Sequence, residues 1–204
     1  MGENIQREWD EEPLAVELWE ALQARKIDRD NGIAMLTKLA GRGSALAMMY
    51  LGQAYVSNDD RDEAALGEEW LVRSAEDGSI EGRLQLAHHY ERQGAWEKAQ
   101  LELEILARQG YSPAMHYLGR LFYWGDRGYR DVPKSVAYLK MAIDAGDMPS
   151  IPMLRQIYRE QKFGIGDRIA AHWLLLKKIP TLLRYVWTYP NSDRLRSWGG
   201  HFGK

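Results

Sequence analysis

The sequence predicts an all-α protein built from repeated antiparallel helix pairs. Apolar residues recur three and four positions apart along most of the chain, which is the period of an α-helix, and the alternation typical of strands is scarce. Four glycines, Gly43, Gly78, Gly110 and Gly146, follow one another at intervals of 35, 32 and 36 residues. Intervals of this size are typical of stacked helical repeats.

Leucines and aromatic residues keep a fixed distance from each of these glycines. A leucine stands seven positions before each glycine (Leu36, Leu71, Leu103, Leu139) and another eight positions after it (Leu51, Leu86, Leu118, Leu154). An aromatic residue follows each second leucine by four positions (Tyr55, Tyr90, Phe122, Tyr158). Agreement at every copy indicates one core contact repeated along the chain.

Small residues mark the places where two helix backbones are expected to approach closely. They stand eleven positions before each glycine (Gly32, Gly67, Ala99, Ser135) and four positions after it (Ala47, Gly82, Ala114, Ser150). Each glycine is expected to end a helix in the left-handed conformation. The next helix begins two or three residues later, and Ser79 and Ser112 are available as N-caps.

Length variation falls in one turn of the repeat. The count from each glycine to the following leucine is constant, whereas the count from that leucine to the next glycine is 27, 24 or 28. We therefore expect a tight corner at the glycine and an exposed turn that accepts insertions. A fifth, worn copy runs from Ala170 to Thr181.

At this level the sequence resembles the Sel-one-like repeat, a relative of the tetratricopeptide repeat. The resemblance rests on Leu-Gly followed by an aromatic residue (Leu51, Gly52, Tyr55; Leu118, Gly119, Phe122) and on the stretches EEWLVRSAEDG and RDVPKSVAYLKMAIDAG. It covers residues 32–181, and the middle unit departs from it at Ala87 and Glu102. The resemblance implies a right-handed α-solenoid of four to five repeats that serves as a protein-binding scaffold without catalytic chemistry.

The predicted organisation is an acidic N-terminal arm, one α-solenoid domain and a tail. The arm covers residues 1–12 and the solenoid 13–189, with units at 13–43, 44–78, 79–110, 111–146 and 147–181 and a capping helix at 182–189; residues 190–204 form the tail. Pro13 to Arg25 reads as an amphipathic first helix with Leu14, Leu18 and Leu22 on one stripe.

Composition excludes several classes of protein. The absence of cysteine excludes a disulfide scaffold and a cysteine-based zinc site. The acidic start has no apolar core of a signal peptide, and the longest uncharged run, residues 43–58, is shorter than a bilayer crossing. Together with the resemblance, which implies a bacterial protein, this composition leads us to expect a cytoplasmic protein, or one attached peripherally at the inner face of a membrane.

The tetratricopeptide analogy places a partner-binding groove along the first helices of the repeats, and we expect it to take a peptide or a partner's helix. Its predicted residues are Met49, Gln53, Glu81, His88, Glu91, His116, Arg120, Tyr123, Gln156 and Arg159. His88, Glu91 and His116 also form a conceivable zinc set, but groove histidines more often contact partners. No phosphate-binding loop and no nucleophile elbow is present, so we expect neither a cofactor nor enzyme activity.

The C-terminal segment mixes cations with aromatic residues. Residues 172–204 carry six basic residues against one acid, whereas residues 1–30 carry nine acids against four basic residues. The predicted contact surface consists of Arg184, Tyr185, Trp187, Arg194, Arg196 and Trp198. Four interpretations stay open: a cap on the last repeat, a partner or homodimer contact, attachment to an anionic membrane in envelope polysaccharide assembly, and nucleic-acid binding, which the acidic pI of about 6.2 disfavours.

Overall fold

A computed structural model describes residues 3–57, 61–125 and 129–161, together with the single positions 164, 166, 173, 176 and 180. The described part of the chain contains ten helices and no strand. They are α1 (Glu3–Glu11), α2 (Ala15–Ile27), α3 (Arg29–Ala40), α4 (Ala45–Val56), α5 (Arg61–Glu76), α6 (Ile80–Arg92), α7 (Trp96–Arg108), α8 (Ser112–Trp124), α9 (Val132–Asp144) and α10 (Ser150–Glu160). The all-α prediction is confirmed.

The helices fall into two compact units. Unit 1 covers Glu3–Arg108 and contains α1 to α7, and unit 2 begins at Gln109 and contains α8 to α10. In unit 1 the consecutive pairs α2 and α3, α4 and α5, and α6 and α7 pack together, and in unit 2 α9 packs against both α8 and α10. We call the helix after each corner glycine a first helix (α4, α6, α8, α10) and the helix that ends at the glycine a second helix (α3, α5, α7, α9).

The repeated leucines form the cores of both units. All eight are at most 2% exposed, and they are Leu36, Leu51, Leu71, Leu86, Leu103, Leu118, Leu139 and Leu154. Burial of each leucine side chain stabilises the fold by about 1.5–3 kcal/mol. The fixed spacing between leucines and glycines therefore identifies a core position that is buried in every repeat.

The four repeat glycines turn the corners as predicted. Gly43, Gly78, Gly110 and Gly146 have φ angles between +82° and +93°, a left-handed region that side chains with a Cβ atom resist. Gly94, which lies outside the repeat pattern, adopts a φ of +71° after α6. The structure thus uses a fifth left-handed glycine in the turn between α6 and α7.

Serine caps begin two of the first helices. The hydroxyl oxygen of Ser44 accepts a hydrogen bond from the backbone N–H of Ala47, and that of Ser79 accepts one from Gly82. The prediction for Ser112 is wrong, because this residue is already the first residue of α8 and Tyr111 precedes it without a side-chain cap. Proline at the next position supplies a favourable start instead.

Small residues lie where helices touch, as the spacing predicted. A Cβ atom on Gly67 of α5 would lie 2.7 Å from the backbone nitrogen of Val56 and 2.9 Å from the carbonyl oxygen of Gly52 on α4. In unit 2 the buried Ser135 hydroxyl donates a hydrogen bond of 2.6 Å to the carbonyl oxygen of Gly119. Backbone contact of this kind fixes the spacing of the two helices in a pair.

Aromatic residues extend the core of unit 2. The ring of Phe122 stacks nearly parallel to the rings of Tyr129 and Tyr138, with centroids 5.7 and 5.8 Å away. Around α9 the buried cluster consists of Tyr123, Val136, Leu139, Ile143, Met153, Leu154, Ile157 and Tyr158.

The worn fifth copy and the predicted capping helix at 182–189 fall almost entirely outside the described residues.

Candidate partner-binding surface

Residues 1–12, predicted as an acidic arm, contain the helix α1, which lies against the N-terminal end of α6. The side chain of Glu8 makes the contact with both carboxylate oxygens. One accepts a hydrogen bond of 2.6 Å from the Ser79 hydroxyl, and the other accepts a bond of 3.1 Å from the backbone N–H of Glu81. A carboxylate is favoured there because the unpaired N–H groups of a helix start carry partial positive charge.

Glu12 makes the equivalent contact at the preceding first helix, α4. Its Oε2 accepts a hydrogen bond of 2.9 Å from the hydroxyl of Ser44, and its Oε1 accepts one of 3.1 Å from the backbone N–H of Leu14. Two carboxylates four positions apart, one on α1 and one directly after it, thus reach the starts of two successive first helices. Ser44 and Ser79 each accept a capping bond and donate one to a glutamate.

An aromatic contact holds the same side of α1. The indole N–H of Trp9 points at the phenolic oxygen of Tyr50 on α4 at 3.3 Å, and the two rings lie 6.1 Å apart with tilted planes. The carbonyl oxygen of Tyr50 accepts a hydrogen bond from Arg25 of α2. We call the surface formed by Ser44, Tyr50, Ser79 and Glu81 the α1-binding surface.

A cleft of about 470 Å³ opens beside this surface within unit 1. Its walls come from the end of α1 and from the two corner turns that precede α4 and α6. Glu8, Glu11, Glu12 and Asp77 line it against one lining cation, Arg42, which is paired with Glu17 at 3.6 Å. The cleft is therefore acidic.

The groove residues predicted on α4 and α6 differ in accessibility. Met49 is buried, so its side chain presents almost no surface to a partner, whereas Gln53, Glu81, His88 and Glu91 are all half-buried. Of these residues, Glu81 also belongs to the α1-binding surface, because its backbone N–H donates a hydrogen bond to Glu8. The partner contact remains a prediction, and in unit 1 it rests on the half-buried side chains.

Glu81 carries an electrostatic cost at this position. Burial, with a smaller contribution from the charge of Glu8, raises the pKa of its carboxyl above the ordinary value, although a hydrogen bond from Gln85 opposes the shift. At the start of α6 the Glu8 carboxylate accepts the hydrogen bonds from the Ser79 hydroxyl and from the backbone N–H of Glu81. Glu81 is thus destabilising in its charged form.

Replacing Glu81 by glutamine should therefore stabilise the chain at neutral pH. A raised folded-state pKa means that stability is lost as the pH rises from the ordinary pKa of the carboxyl through the folded one. We expect Glu81→Gln to raise the melting temperature at pH 7 and to leave it nearly unchanged near pH 4, where the carboxyl is largely protonated. As a control, the same substitution is made in a chain that already carries Glu8→Gln, and both chains are melted at both pH values. The rise in melting temperature caused by Glu81→Gln should be smaller in this background.

The groove residues predicted in unit 2 form a mixed set. The guanidinium of Arg120 lies over the rings of Tyr117 and Trp124, 5.2 and 5.9 Å from their centroids, and Trp124 is 57% exposed. Gln156 donates a hydrogen bond to Glu160, and Arg159 is exposed. A cation beside an exposed indole is a feature that partner surfaces favour.

The side chains of His116 and Tyr123 make contacts within unit 2. The Nδ1 atom of His116 lies 2.9 Å from the hydroxyl of Ser150 and 3.4 Å from Asp147, and burial lowers its pKa although Asp147 opposes the shift. Tyr123 is 4% exposed and donates a hydrogen bond to Glu160, which lowers the pKa of that carboxyl. Tyr123 therefore presents almost no surface of its own to a partner.

Other predicted sites fall in parts of the chain with little structural description. The C-terminal contact surface, from Arg184 to Trp198, lies outside the described residues. Within the described ranges no group of three histidine, aspartate or glutamate side chains is arranged to hold a metal ion. No helix in those ranges has both the length and the apolar content needed to cross a bilayer.

Sequence reasoning missed the residues that hold α1. The repeat pattern begins at residue 32, so Glu8, Trp9 and Glu12 lie outside it, and the sequence predicts only an acidic arm for residues 1–12. The available signal was local: Glu8 and Glu12 are spaced to share one face of a helix. Their partners Ser44 and Tyr50 carry no such signal.

Comparison with solved structures identifies the fold. No family model matches the sequence, and no curated protein matches it either. Five solved chains match its structure. A Sel1 repeat protein from Oxalobacter formigenes superimposes with a TM-score of 0.58 and 17% sequence identity over 79% of this chain and 68% of that chain. The fold is thus an α-solenoid of the Sel1 repeat kind, in agreement with the resemblance seen in the sequence.

Proposed function

We propose that this chain is a non-catalytic protein-interaction scaffold that binds a helix or peptide of a partner on the first helices of its repeats. The observation that carries the proposal is the position of α1, because a helix already lies against α4 and α6 and contacts them through specific side chains. Docking of a helix on the surface of other helices is a common mode of peptide recognition.

The repeated architecture supports the same function. The repeated leucines and small residues make contacts inside each unit, and the first helices also carry accessible side chains that differ from one repeat to the next. Such side chains can vary without loss of the core, which is how repeat proteins acquire different partners. In unit 2 the accessible set on the first helices includes Arg120, Gln156 and Arg159.

The natural chain contains no cysteine, so one introduced cysteine can carry a photo-crosslinker at a single chosen position. Crosslinking from such a position tests the proposal. Gln53→Cys on α4 places the probe on a first helix, and Glu69→Cys, on the exposed side of the second helix α5, is the matched control. In an extract of the source cells, irradiation should give a discrete adduct from position 53 and at least tenfold less of that adduct from position 69.

Mass spectrometry of the adduct identifies the partner, or a second copy of the chain in the case of a homodimer. Equal crosslinking from both positions, or an adduct from position 69 alone, would contradict the assignment of binding to the first helices. Absence of any adduct from position 53 would also count against it.

A further inference from the structure

We propose that the α1-binding surface takes an acidic helix of a partner protein, and that α1 is a detachable strap that occupies the surface until the partner displaces it. The inference rests on the proposed function and specifies the chemistry of its ligand. The partner helix carries two glutamates four residues apart and an aromatic residue next to the first of them.

The bound carboxylates of Glu8 and Glu12 define this chemistry. The surface offers two serine hydroxyls and the N–H of Glu81 at the starts of α4 and α6, and all three donate to glutamate oxygens at distances between 2.6 and 3.1 Å. Hydrogen bonds to an ionised carboxylate are shorter and stronger than those between neutral groups. The geometry therefore favours two carboxylates four residues apart, the second at the end of the helix, over neutral side chains.

Trp9 and Tyr50 add a second, independent determinant. The Trp9 side chain lies next to Glu8 in sequence and meets the half-buried Tyr50 ring on α4, where its N–H finds an acceptor. An indole provides a large contact area with one polar contact, which is the usual character of an anchor residue in an interface. A competing helix needs an aromatic residue at this position.

The contacts that keep α1 on the α1-binding surface are few enough for another helix to replace it. Among residues 6–11, whose side chains the structure describes, none is buried, and only Glu8 and Trp9 are even half-buried. A nine-residue helix is marginal on its own, so α1 depends on its docking contacts for its structure. Pro13 follows Glu12 directly and separates α1 from α2, so α1 can leave while α2 stays packed on α3.

A peptide with the sequence of α1 tests the strap in trans. Fluorescein-labelled GENIQREWDEEPL, residues 2–14, is titrated by anisotropy with the full chain and with the full-length Glu8→Gln/Glu12→Gln variant. The substitutions weaken the competing strap and leave the surface intact, so the variant should bind the peptide at least tenfold more tightly than the natural chain. A peptide with both glutamates changed to glutamine should bind the variant at least tenfold more weakly.

Asp10→Asn/Glu11→Gln is the matched control variant. It removes the same amount of charge at two exposed positions that make none of these hydrogen bonds, although Glu11 lines the adjoining cleft, so its peptide affinity should stay close to that of the natural chain. Far-UV circular dichroism that is equal in the three chains, apart from the small contribution of the nine-residue α1, shows that all are folded.

Failure of the labelled peptide to bind any of the three chains would overturn the inference, as would equal binding of the glutamine peptide. A dimer that the Glu8→Gln/Glu12→Gln substitutions abolish would assign the surface to a second copy and overturn the assignment to a partner protein. If the peptide fails while position 53 still crosslinks, the scaffold function stands and only the acidic-helix ligand falls. If the peptide exchanges but position 53 gives no adduct, the scaffold function falls instead.

Discussion

Replacing Gly67 by alanine should destabilise the chain by about 2–4 kcal/mol, because the new methyl group has no space on α5. It would lie 2.7 Å from the backbone nitrogen of Val56 and 2.9 Å from the carbonyl oxygen of Gly52. Neither atom can rotate away as a side chain can, so α4 and α5 have to separate. We expect the melting temperature, followed by far-UV circular dichroism, to fall by about 5–15 °C.

Gly41→Ala is the control for this substitution. Gly41 adopts a right-handed helical conformation at the end of α3, and a Cβ atom there would meet its nearest neighbours at the ordinary distance of 3.5 Å. Alanine should therefore be neutral or stabilise the chain by about 0.4–1 kcal/mol. Equal melting temperatures for the two variants would show that α4 and α5 do not touch through their backbones.

Replacing Leu139 by alanine should cost about 2–5 kcal/mol in unit 2, because it removes a fully buried side chain from the centre of the α9 cluster. The side chain lies against Gly119 of α8, whose lack of a Cβ atom makes room for it, so the loss leaves a cavity between the two helices. Amide hydrogen exchange under native conditions should show faster exchange throughout α8 and α9.

The matched control lies on the same helix. Met141 is 50% exposed, and its replacement by alanine should change the stability by no more than about 0.5 kcal/mol. Similar exchange rates in the Leu139→Ala and Met141→Ala chains would mean that the repeated leucine is not a core residue.

Much of the fold could be predicted from spacing alone, because its physical causes are local. A leucine at a fixed distance from a left-handed glycine specifies both the buried face and the corner, and Leu71 with Gly78 and Leu139 with Gly146 show this in the structure. The Ser112 cap failed because a helix start shifts by one residue without changing the repeat. Tyr111 took the cap position, and proline made a side-chain cap unnecessary.

The candidate site was less predictable, because it depends on contacts between distant positions. Glu8 and Ser79 are 71 residues apart, and no pattern in either segment predicts the hydrogen bond between them. Ser79 was predicted as a cap of α6, and its hydroxyl does accept that bond while donating to Glu8. The second role of the hydroxyl follows only from the position of α1.

Transfer of groove positions by analogy places every predicted groove residue on a first helix, but it does not predict which of these side chains are accessible. Met49 and Tyr123 occupy first helices as expected, yet they are only 1% and 4% exposed. A position on a helix face is set by the 100° step of the backbone, whereas burial depends on the size and direction of neighbouring side chains. For Tyr123, for example, Glu160 on α10 accepts its hydroxyl hydrogen bond.

Binding of a partner's helix to the first helices of unit 1 in place of α1 is tested most directly by amide hydrogen exchange of the full chain, with and without the purified partner identified by crosslinking. We expect slower exchange in α4 and α6 on binding and faster exchange in α1. Protection confined to the second helices α3, α5 and α7, with α1 unchanged, would contradict it.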